Sequence, residues 1–152
     1  MVKYSKCRRG IGCFRALTTV GQNLEDKKMI EAQLEQQKKK LVKAGIIEQE
    51  EILIDSTQAN YVERVLGKFG PWKQGWAYFT EERLIIVTGF FSENIYIPYV
   101  KICELTKCSQ GILPTGIVIT HENVQTGELE SLKISLMKRD QLMELMREKA
   151  GL

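Results

Sequence analysis

The chain has 152 residues, of which 43% are hydrophobic and 27% are charged, with a formal net charge of +3. This composition excludes wholesale disorder, and the length is sufficient for one domain with a short extension. No apolar run approaches the roughly 18 residues of a membrane span, and the N-terminus lacks the apolar core of a secretory signal. We therefore expect a cytoplasmic protein, and peripheral attachment to a membrane stays open.

The positive charge belongs to the first part of the chain. Residues 1–43 hold eleven Lys and Arg against four Asp and Glu, whereas residues 44–152 hold eleven against fifteen. This asymmetry predicts a basic N-terminal extension, residues 1–45, followed by a mildly acidic domain, residues 46–152.

The extension begins with a stretch that contains no acidic residue. Its glycines weaken a regular helix, so residues 1–22 fit either a flexible basic tail or a short helical segment. From residue 24 to residue 44 a helix is predicted, because Asn23 is a suitable N-cap and Gly45 can close the C-terminus. Lysines gather near the negative end of this helix, and its thin apolar stripe suits docking rather than a long coiled coil.

From Ile46 onward the hydrophobic pattern changes from a helical period to alternation. The clearest unit is a hairpin in which Glu81-Glu82 joins two strands. A 16-residue connection, residues 60–75, precedes it and contains Gly67, Gly70 and Pro71. The predicted strands are Glu50 to Thr57, Gly75 to Thr80, Arg83 to Gly89, Asn94 to Ile97, Val100 to Lys107, Gly116 to His121 and Leu129 to Ser135.

About seven strands without intervening helices indicate a bent antiparallel sheet or a partly open barrel. The segment Lys138 to Lys149 has a helical apolar face and is predicted to plug the open end of that sheet. The fold class is therefore mainly β with a closing C-terminal helix. The residues predicted to form the core are Trp76, Phe79, Leu84, Ile86, Ile117, Ile119, Leu132, Ile134, Leu142 and Leu145.

The sequence argues against an enzyme. It contains no Gly-rich phosphate loop, nucleophile elbow or zinc-protease motif, and its only histidine, His121, lies in a predicted strand. The acidic pairs Glu50-Glu51 and Glu81-Glu82 consist of neighbours that would point to opposite faces of a strand, so we interpret them as solvated edge and turn residues. We expect no cofactor and no catalytic residue.

Four cysteines in a chain without an export signal are most simply reduced thiols. Cys7 and Cys13 have five residues between them, and Cys103 and Cys108 have four. Zinc sites usually carry tighter pairs. We therefore expect structural thiols and no metal.

Several short motifs resemble those of GRAM domains, a branch of the pleckstrin-homology-like fold. Gly75 to Ile86 is similar to the hairpin signature of the family, Ile97 to Ile102 to its next strand, and Met137 to Asp140 to the start of its closing helix. The resemblance covers residues 46–149 in the family order and implies a pleckstrin-homology-like domain. Around the first hairpin only Lys73 stands before Gly75, whereas some pleckstrin-homology domains grip inositol phosphates with a spaced Lys/Arg cluster there.

The leading functional hypothesis is a binding module for an anionic membrane surface. Basic and aromatic residues on an exposed loop suit the headgroup boundary, and both the extension and the 60–75 connection supply them. The candidate binding residues are Lys6, Arg8, Arg9, Arg15, Arg64, Lys68, Phe69, Trp72 and Lys73.

The alternative hypothesis is a protein-interaction module. Pleckstrin-homology-like domains also receive peptides as an added strand or beside the closing helix, and the helix at residues 24–44 could occupy such a groove or form a homo-oligomer. Nucleic-acid binding is disfavoured, because the basic tail would give only unspecific, salt-sensitive attraction. The sequence leaves the choice between lipid and protein partners open.

Overall fold

The computed structural model describes residues 24–65, 68–89 and 93–152. The chain divides between Ile47 and Glu48 into two compact units. Four of the candidate binding residues, Lys6, Arg8, Arg9 and Arg15, lie outside the described residues.

The first unit contains the predicted helix, which we call α1 and which occupies residues 24–43. It ends at Gly45, whose φ of 75° is a left-handed conformation that glycine adopts without strain. The N–H of Gly45 donates to the carbonyl of Val42, and the N–H of Ile46 donates to the carbonyl of Leu41. These two bonds satisfy carbonyls that would otherwise be left without partners at the helix end. They confirm the prediction that the helix ends at Gly45.

The second unit is an antiparallel sheet followed by one helix. In spatial order the strands run β5-β4-β3-β1-β8-β7-β6, with β2 attached to β1. A 3-10 helix, Tyr99–Lys101, joins β5 to β6. The elements are β1 (Leu53–Val65), β2 (Lys68–Phe69), β3 (Lys73–Thr80), β4 (Arg83–Val87), β5 (Ile95–Pro98), β6 (Ile102–Gln110), β7 (Leu113–Glu122), β8 (Leu129–Ser135) and α2 (Arg139–Ala150).

The long strand β1 connects the two halves of the sheet. It pairs with β3 from Leu53 to Tyr61 and with β8 from Asn60 to Glu63. Helix α2 contributes buried Leu142, Met143 and Met146 to the core between these halves. Among the described residues, the seven strands of the main path, the short β2 attached to β1 and the closing C-terminal helix confirm the predicted fold class.

Most of the predicted core is buried, but Trp76 is an exception. Ala77 and Phe79 are fully buried, so alternation along β3 directs Trp76 and Tyr78 to the opposite face. There Trp76 keeps 38% of its surface exposed, and its ring lies 6.5 Å from that of Tyr78. The prediction was therefore wrong for Trp76, while Leu145 packs against the core only in part.

The prediction of a long connection at residues 60–75 was also wrong. Strand β1 continues through Tyr61 and Val62, which are both buried, and β3 already begins at Lys73. Gly75 lies within β3, opposite Ala59, and a Cβ there would lie 3.0 Å from the Tyr61 ring and 3.1 Å from the carbonyl oxygen of Val87. The glycine thus allows close packing of two strands rather than marking a loop.

Candidate functional site

The tip of the β1–β2 hairpin carries part of the predicted basic and aromatic site. Phe69 lies opposite Arg64, and Lys68 lies opposite Val65. Lys68 is exposed and Phe69 is half-buried. The ammonium group of Lys133, in β8, stands 4.2 Å from the centroid of the Phe69 ring. This distance is typical of a cation–π contact, worth about 0.5–1 kcal/mol at an exposed site.

Lys133 is a member of this group that sequence reasoning missed. It lies opposite Val62 in the pairing of β1 with β8, and that pairing brings it beside the hairpin tip. In the sequence Lys133 is 64 positions after Phe69, so no local pattern indicates the contact. We call Lys68, Phe69, Trp72 and Lys133 the tip cluster.

Lys73 faces a different surface from Lys133. It lies opposite Tyr61, whose ring belongs to the core, and it lines a cleft of about 220 Å³ at the end of the sheet. Glu63 and Glu93 line the same cleft. Trp72 is half-buried between β2 and β3. The predicted candidates therefore do not form one patch, because pairing with β1 separates Lys73 from the tip cluster.

The cleft beside Lys73 is poorly suited to a phosphate group. Its described lining brings two exposed carboxylates, Glu63 and Glu93, near one exposed ammonium group, and this excess of negative charge disfavours an anion. Burial raises the pKa of the Tyr61 hydroxyl, the Glu63 charge adds to this effect, and a hydrogen bond with Thr88 opposes it. The hydroxyl therefore stays protonated at neutral pH.

A buried carboxylate network joins the start of the second unit to the β3–β4 hairpin. Glu51 accepts hydrogen bonds from Arg83 through Nε at 2.8 Å and Nη2 at 2.9 Å, and from the Thr80 hydroxyl at 2.9 Å. Tyr99 donates to the carbonyl of Thr80 at 2.8 Å. Burial raises the pKa of Glu51, but the hydrogen bonds from Arg83 and Thr80 and the Arg83 charge outweigh burial and hold this pKa below its usual range.

This network corrects our interpretation of the acidic pairs. Glu51 is buried and paired, whereas Glu50, Glu81 and Glu82 are exposed as predicted. Local sequence could not distinguish Glu51 from Glu50, because its partner Arg83 is 32 residues away. The arrangement is structural, since Arg83 and Thr80, which both donate to the Glu51 carboxylate, belong to the β3–β4 hairpin.

His121 is a buried residue of β7. It lies opposite Glu130 in β8. Burial lowers the pKa of His121, although the Glu130 charge and a backbone hydrogen bond at Glu122 act in the opposite direction. The imidazole is therefore neutral at pH 7, and its position agrees with the predicted sheet residue.

Cys103 is exposed and Cys108 is half-buried, and both are free thiols. Cys7 and Cys13 lie outside the described residues. Within the described ranges, no three His, Cys, Asp or Glu side chains approach one another closely enough to hold a metal ion. Those ranges also hold no helix with the length and apolar character needed to span a bilayer.

Comparison with solved structures identifies the fold. The C-terminal domain of an unknown protein from Leishmania infantum matches at 18% identity and a TM-score of 0.52, covering 76% of this chain and 94% of that one. The DH/PH domains of PDZ-RhoGEF, in complex with GTP-γ-S-activated RhoA, match at 12% identity and a TM-score of 0.55, covering 95% of this chain and 46% of that one. The Vps36 N-terminal PH domain matches at 11% identity and a TM-score of 0.48, covering 69% of this chain and 83% of that one.

The two matches with TM-scores above 0.5 and the strand order show a pleckstrin-homology-like fold. No family model matches the sequence, and no curated protein matches it. At identities of 18% and below, the similarity concerns the fold.

Proposed function

We propose that residues 48–152 form a non-enzymatic binding module that associates peripherally with anionic membrane surfaces in the cytoplasm. The observation that carries this proposal is the tip cluster, in which two lysines accompany two half-buried aromatic residues at one end of the sheet. The hairpin sequence Gly75 to Ile86 further supports membership of the GRAM branch.

The tip cluster combines two forces that suit a headgroup boundary. Each lysine near an anionic leaflet contributes about 1 kcal/mol, so Lys68 and Lys133 together would contribute about 2 kcal/mol, or about thirtyfold in affinity. Trp72 is already half-buried, so its insertion would add only about 1 kcal/mol. Charge is therefore the larger contribution.

The basic extension would increase this attraction. Lys6, Arg8, Arg9 and Arg15 stand in a stretch without acidic residues, and four such charges would add at most about 4 kcal/mol. Because Coulomb attraction across water is screened by salt, we expect this contribution to decay within a Debye length of about 8 Å at physiological ionic strength.

The acidic cleft beside Lys73 indicates which feature of the membrane the domain recognises. Because Glu63 and Glu93 oppose entry of a phosphate group, we propose recognition of surface charge rather than of one inositol phosphate. Vesicles of phosphatidylserine and of a phosphoinositide, matched in total charge, should then bind the full chain equally well. A strong preference for one phosphoinositide would contradict this proposal.

Vesicle co-sedimentation of charge variants tests the proposed surface. The tip variant, Lys68→Gln with Lys133→Gln, should bind phosphatidylserine vesicles about thirtyfold more weakly at low salt. The matched control replaces Lys101 and Lys107 by Gln, since these two lysines lie elsewhere and form ion pairs with Glu122 and Asp140. Equal losses in the two variants would show that net charge alone, and not the tip, directs binding.

Two further variants separate charge from insertion. Replacing Lys6, Arg8, Arg9 and Arg15 by Gln should remove much of the salt-sensitive binding. Trp72→Ala should weaken a smaller component that persists at high salt, because apolar burial is not screened. Unchanged binding in the tip variant, the extension variant and Trp72→Ala would refute the membrane proposal.

A protein partner is the second candidate. It is favoured by strand β6, which within the described ranges pairs with β7 alone and therefore leaves its other edge without a strand. An extended peptide, or a second copy of this chain, could pair there. Failure of all vesicle experiments would favour this candidate.

A further inference from the structure

Strand β1 changes its neighbours along its length. Residues 60 and 61 pair with β3 on one side and β8 on the other, and residues 62 and 63 pair with β8. Residues 53–59 pair with β3 and have no described strand on their other side. Beside this edge, where the chain leaves β8 at Ser135 and turns toward α2, lies a groove of about 400 Å³. We call it the β1 groove. Its lining includes Gln58, Gln110, Leu113 and Met137.

The hydrogen bonds of β1 show which backbone groups face the groove. The N–H of Gly70 donates to the carbonyl of Glu63, so Glu63 directs its backbone toward β2 and β3. Backbone groups alternate in direction along a strand, and the pairing of β1 with β3 is regular from Asp55 to Tyr61. Gln58 therefore directs its N–H and carbonyl away from β3, toward the groove.

The same edge is protected two residues earlier. The N–H of Ser56 donates to the carboxylate of Asp55 at 2.8 Å, and the ammonium group of Lys138 lies 3.4 Å from that carboxylate. At Gln58 the contact is weaker, since its carbonyl accepts only a 3.3 Å bond from the Thr57 hydroxyl. Side chains therefore cap the edge at Ser56 but leave the peptide group of Gln58 available to another strand.

The lining of the β1 groove is uncharged, and several of its polar side chains are held by hydrogen bonds to one another. Its described lining contains amides, hydroxyls and apolar groups but no charged side chain. The amide of Asn60 donates to Gln110 at 3.1 Å, and the hydroxyls of Thr115 and Ser135 lie 2.6 Å apart. A charged occupant would lose hydration here without gaining an opposite charge. Leu113 and Met137 are exposed and offer apolar contacts at the rim.

We propose that the β1 groove binds an extended, uncharged peptide segment of a partner protein, which adds to β1 as a strand in line with β8. The open edge at Gln58 supplies main-chain hydrogen bonds, and the rim accepts alternate apolar side chains, as strand addition requires. This activity is independent of the proposed membrane function, because no residue of the tip cluster lines the groove.

Hydrogen exchange in the free, full-length protein tests the open edge before any ligand is added. The Gln58 amide should exchange at least about tenfold faster than the Thr57 and Ala59 amides, whose N–H groups point toward β3. Equal protection of all three amides would mean that the edge is occupied, and this would overturn the proposal.

Peptide binding is tested with a phage-displayed library of random decapeptides selected on the full-length protein. Enriched peptides should be uncharged and rich in β-branched residues, and a synthetic copy should protect the Gln58 amide from exchange. Gln58→Pro removes the edge donor without removing a bond to β3 and should weaken binding at least about tenfold. Enrichment of no uncharged peptide, or protection that maps to β6 and α2 instead, would overturn the proposal.

Two leucine variants make the test independent of the proline substitution. Leu113→Ser should weaken binding severalfold, whereas Leu129→Ser should leave it unchanged, because Leu129 is similarly exposed (68% against 54%) but does not line the groove. If Gln58→Pro fails to fold, this pair decides the question, and equal affinities would refute the proposal. Dimerisation of the protein alone, abolished by Leu113→Ser, would identify a second copy as the occupant and also refute it.

Discussion

Replacing Arg83 by Met should destabilise the domain by leaving the Glu51 carboxylate without its charged partner. The Glu51 side chain is 4% exposed and the Arg83 side chain is 26% exposed. Removing one member of a buried ion pair costs about 3–5 kcal/mol. Because Arg83 keeps some contact with water, we expect Arg83→Met to cost less, about 2–3 kcal/mol.

Urea unfolding followed by tryptophan fluorescence measures this cost. A loss of about 2–3 kcal/mol should lower the midpoint by about 1–2 M. Glu51→Gln should cost less, about 1–2 kcal/mol, because the amide still accepts a hydrogen bond from Thr80 and Arg83 can turn toward water. The double variant should be more stable than the sum of the single losses predicts, by about 1 kcal/mol or more. Additive losses would refute the assignment of Glu51 and Arg83 as one energetic unit.

The same pair predicts a dependence on pH. The pKa of Glu51 is lower in the folded protein than its ordinary value, so the folded state binds fewer protons than the unfolded state. The resulting stability is fully present above the unfolded pKa of about 4.3 and is lost as the pH falls through the lower, folded pKa. The stability difference between the wild type and Glu51→Gln should therefore shrink below about pH 4. A constant difference would contradict the pKa shift.

Three further predictions concern the sheet. Ile86→Ala should cost about 2–5 kcal/mol in urea unfolding, because Ile86 is fully buried in the core cluster and truncation leaves a cavity. Gly116→Ala should cost about 1–3 kcal/mol, because the added Cβ would meet the thiol of Cys108; Cys108→Ala should recover part of this loss. The pKa of His121 is lowered, so its neutral form stabilises the fold above about pH 6.5 and this stability is lost as the pH falls through the lower, folded pKa. Thermal unfolding of His121→Gln should therefore change less over this pH range than that of the wild type.

The parts of the fold that follow from local signals were predictable. The β3–β4 hairpin combines alternating apolar residues with a two-residue turn, Glu81-Glu82, and both signals lie within fifteen residues. Helix α2 likewise shows its apolar face in its own sequence. The sequence did not predict that β1 continues past Thr57, because Gly67, Gly70 and Pro71 indicate a loop. In the structure, packing of Tyr61 against Gly75 extends the strand. Tertiary contact overrode the local turn composition.

The site was less predictable than the fold because its members meet through long-range pairing. Sequence composition identified Lys68, Phe69 and Trp72 but could not reveal Lys133, which reaches Phe69 only through the pairing of β1 with β8. The prediction that Trp76 lies in the core was wrong for a related reason. Alternation determines which residues of β3 share a face, and only the surrounding sheet determines which face is buried.

The two proposed binding surfaces lie on different parts of β1, and this separation has a physical consequence. Gln58 and Arg64, which lies opposite Phe69, are six residues apart, about 20 Å along a strand. The peptide proposed for the groove is uncharged, and this separation exceeds the Debye length of about 8 Å, so the charges at the tip contribute little to peptide binding. Salt should therefore weaken vesicle binding while leaving peptide binding unchanged, and Gln58→Pro should have the opposite selectivity. Because neither surface uses the side chains of the other, a peptide and a membrane could be bound at the same time, and saturating peptide should not displace the protein from vesicles.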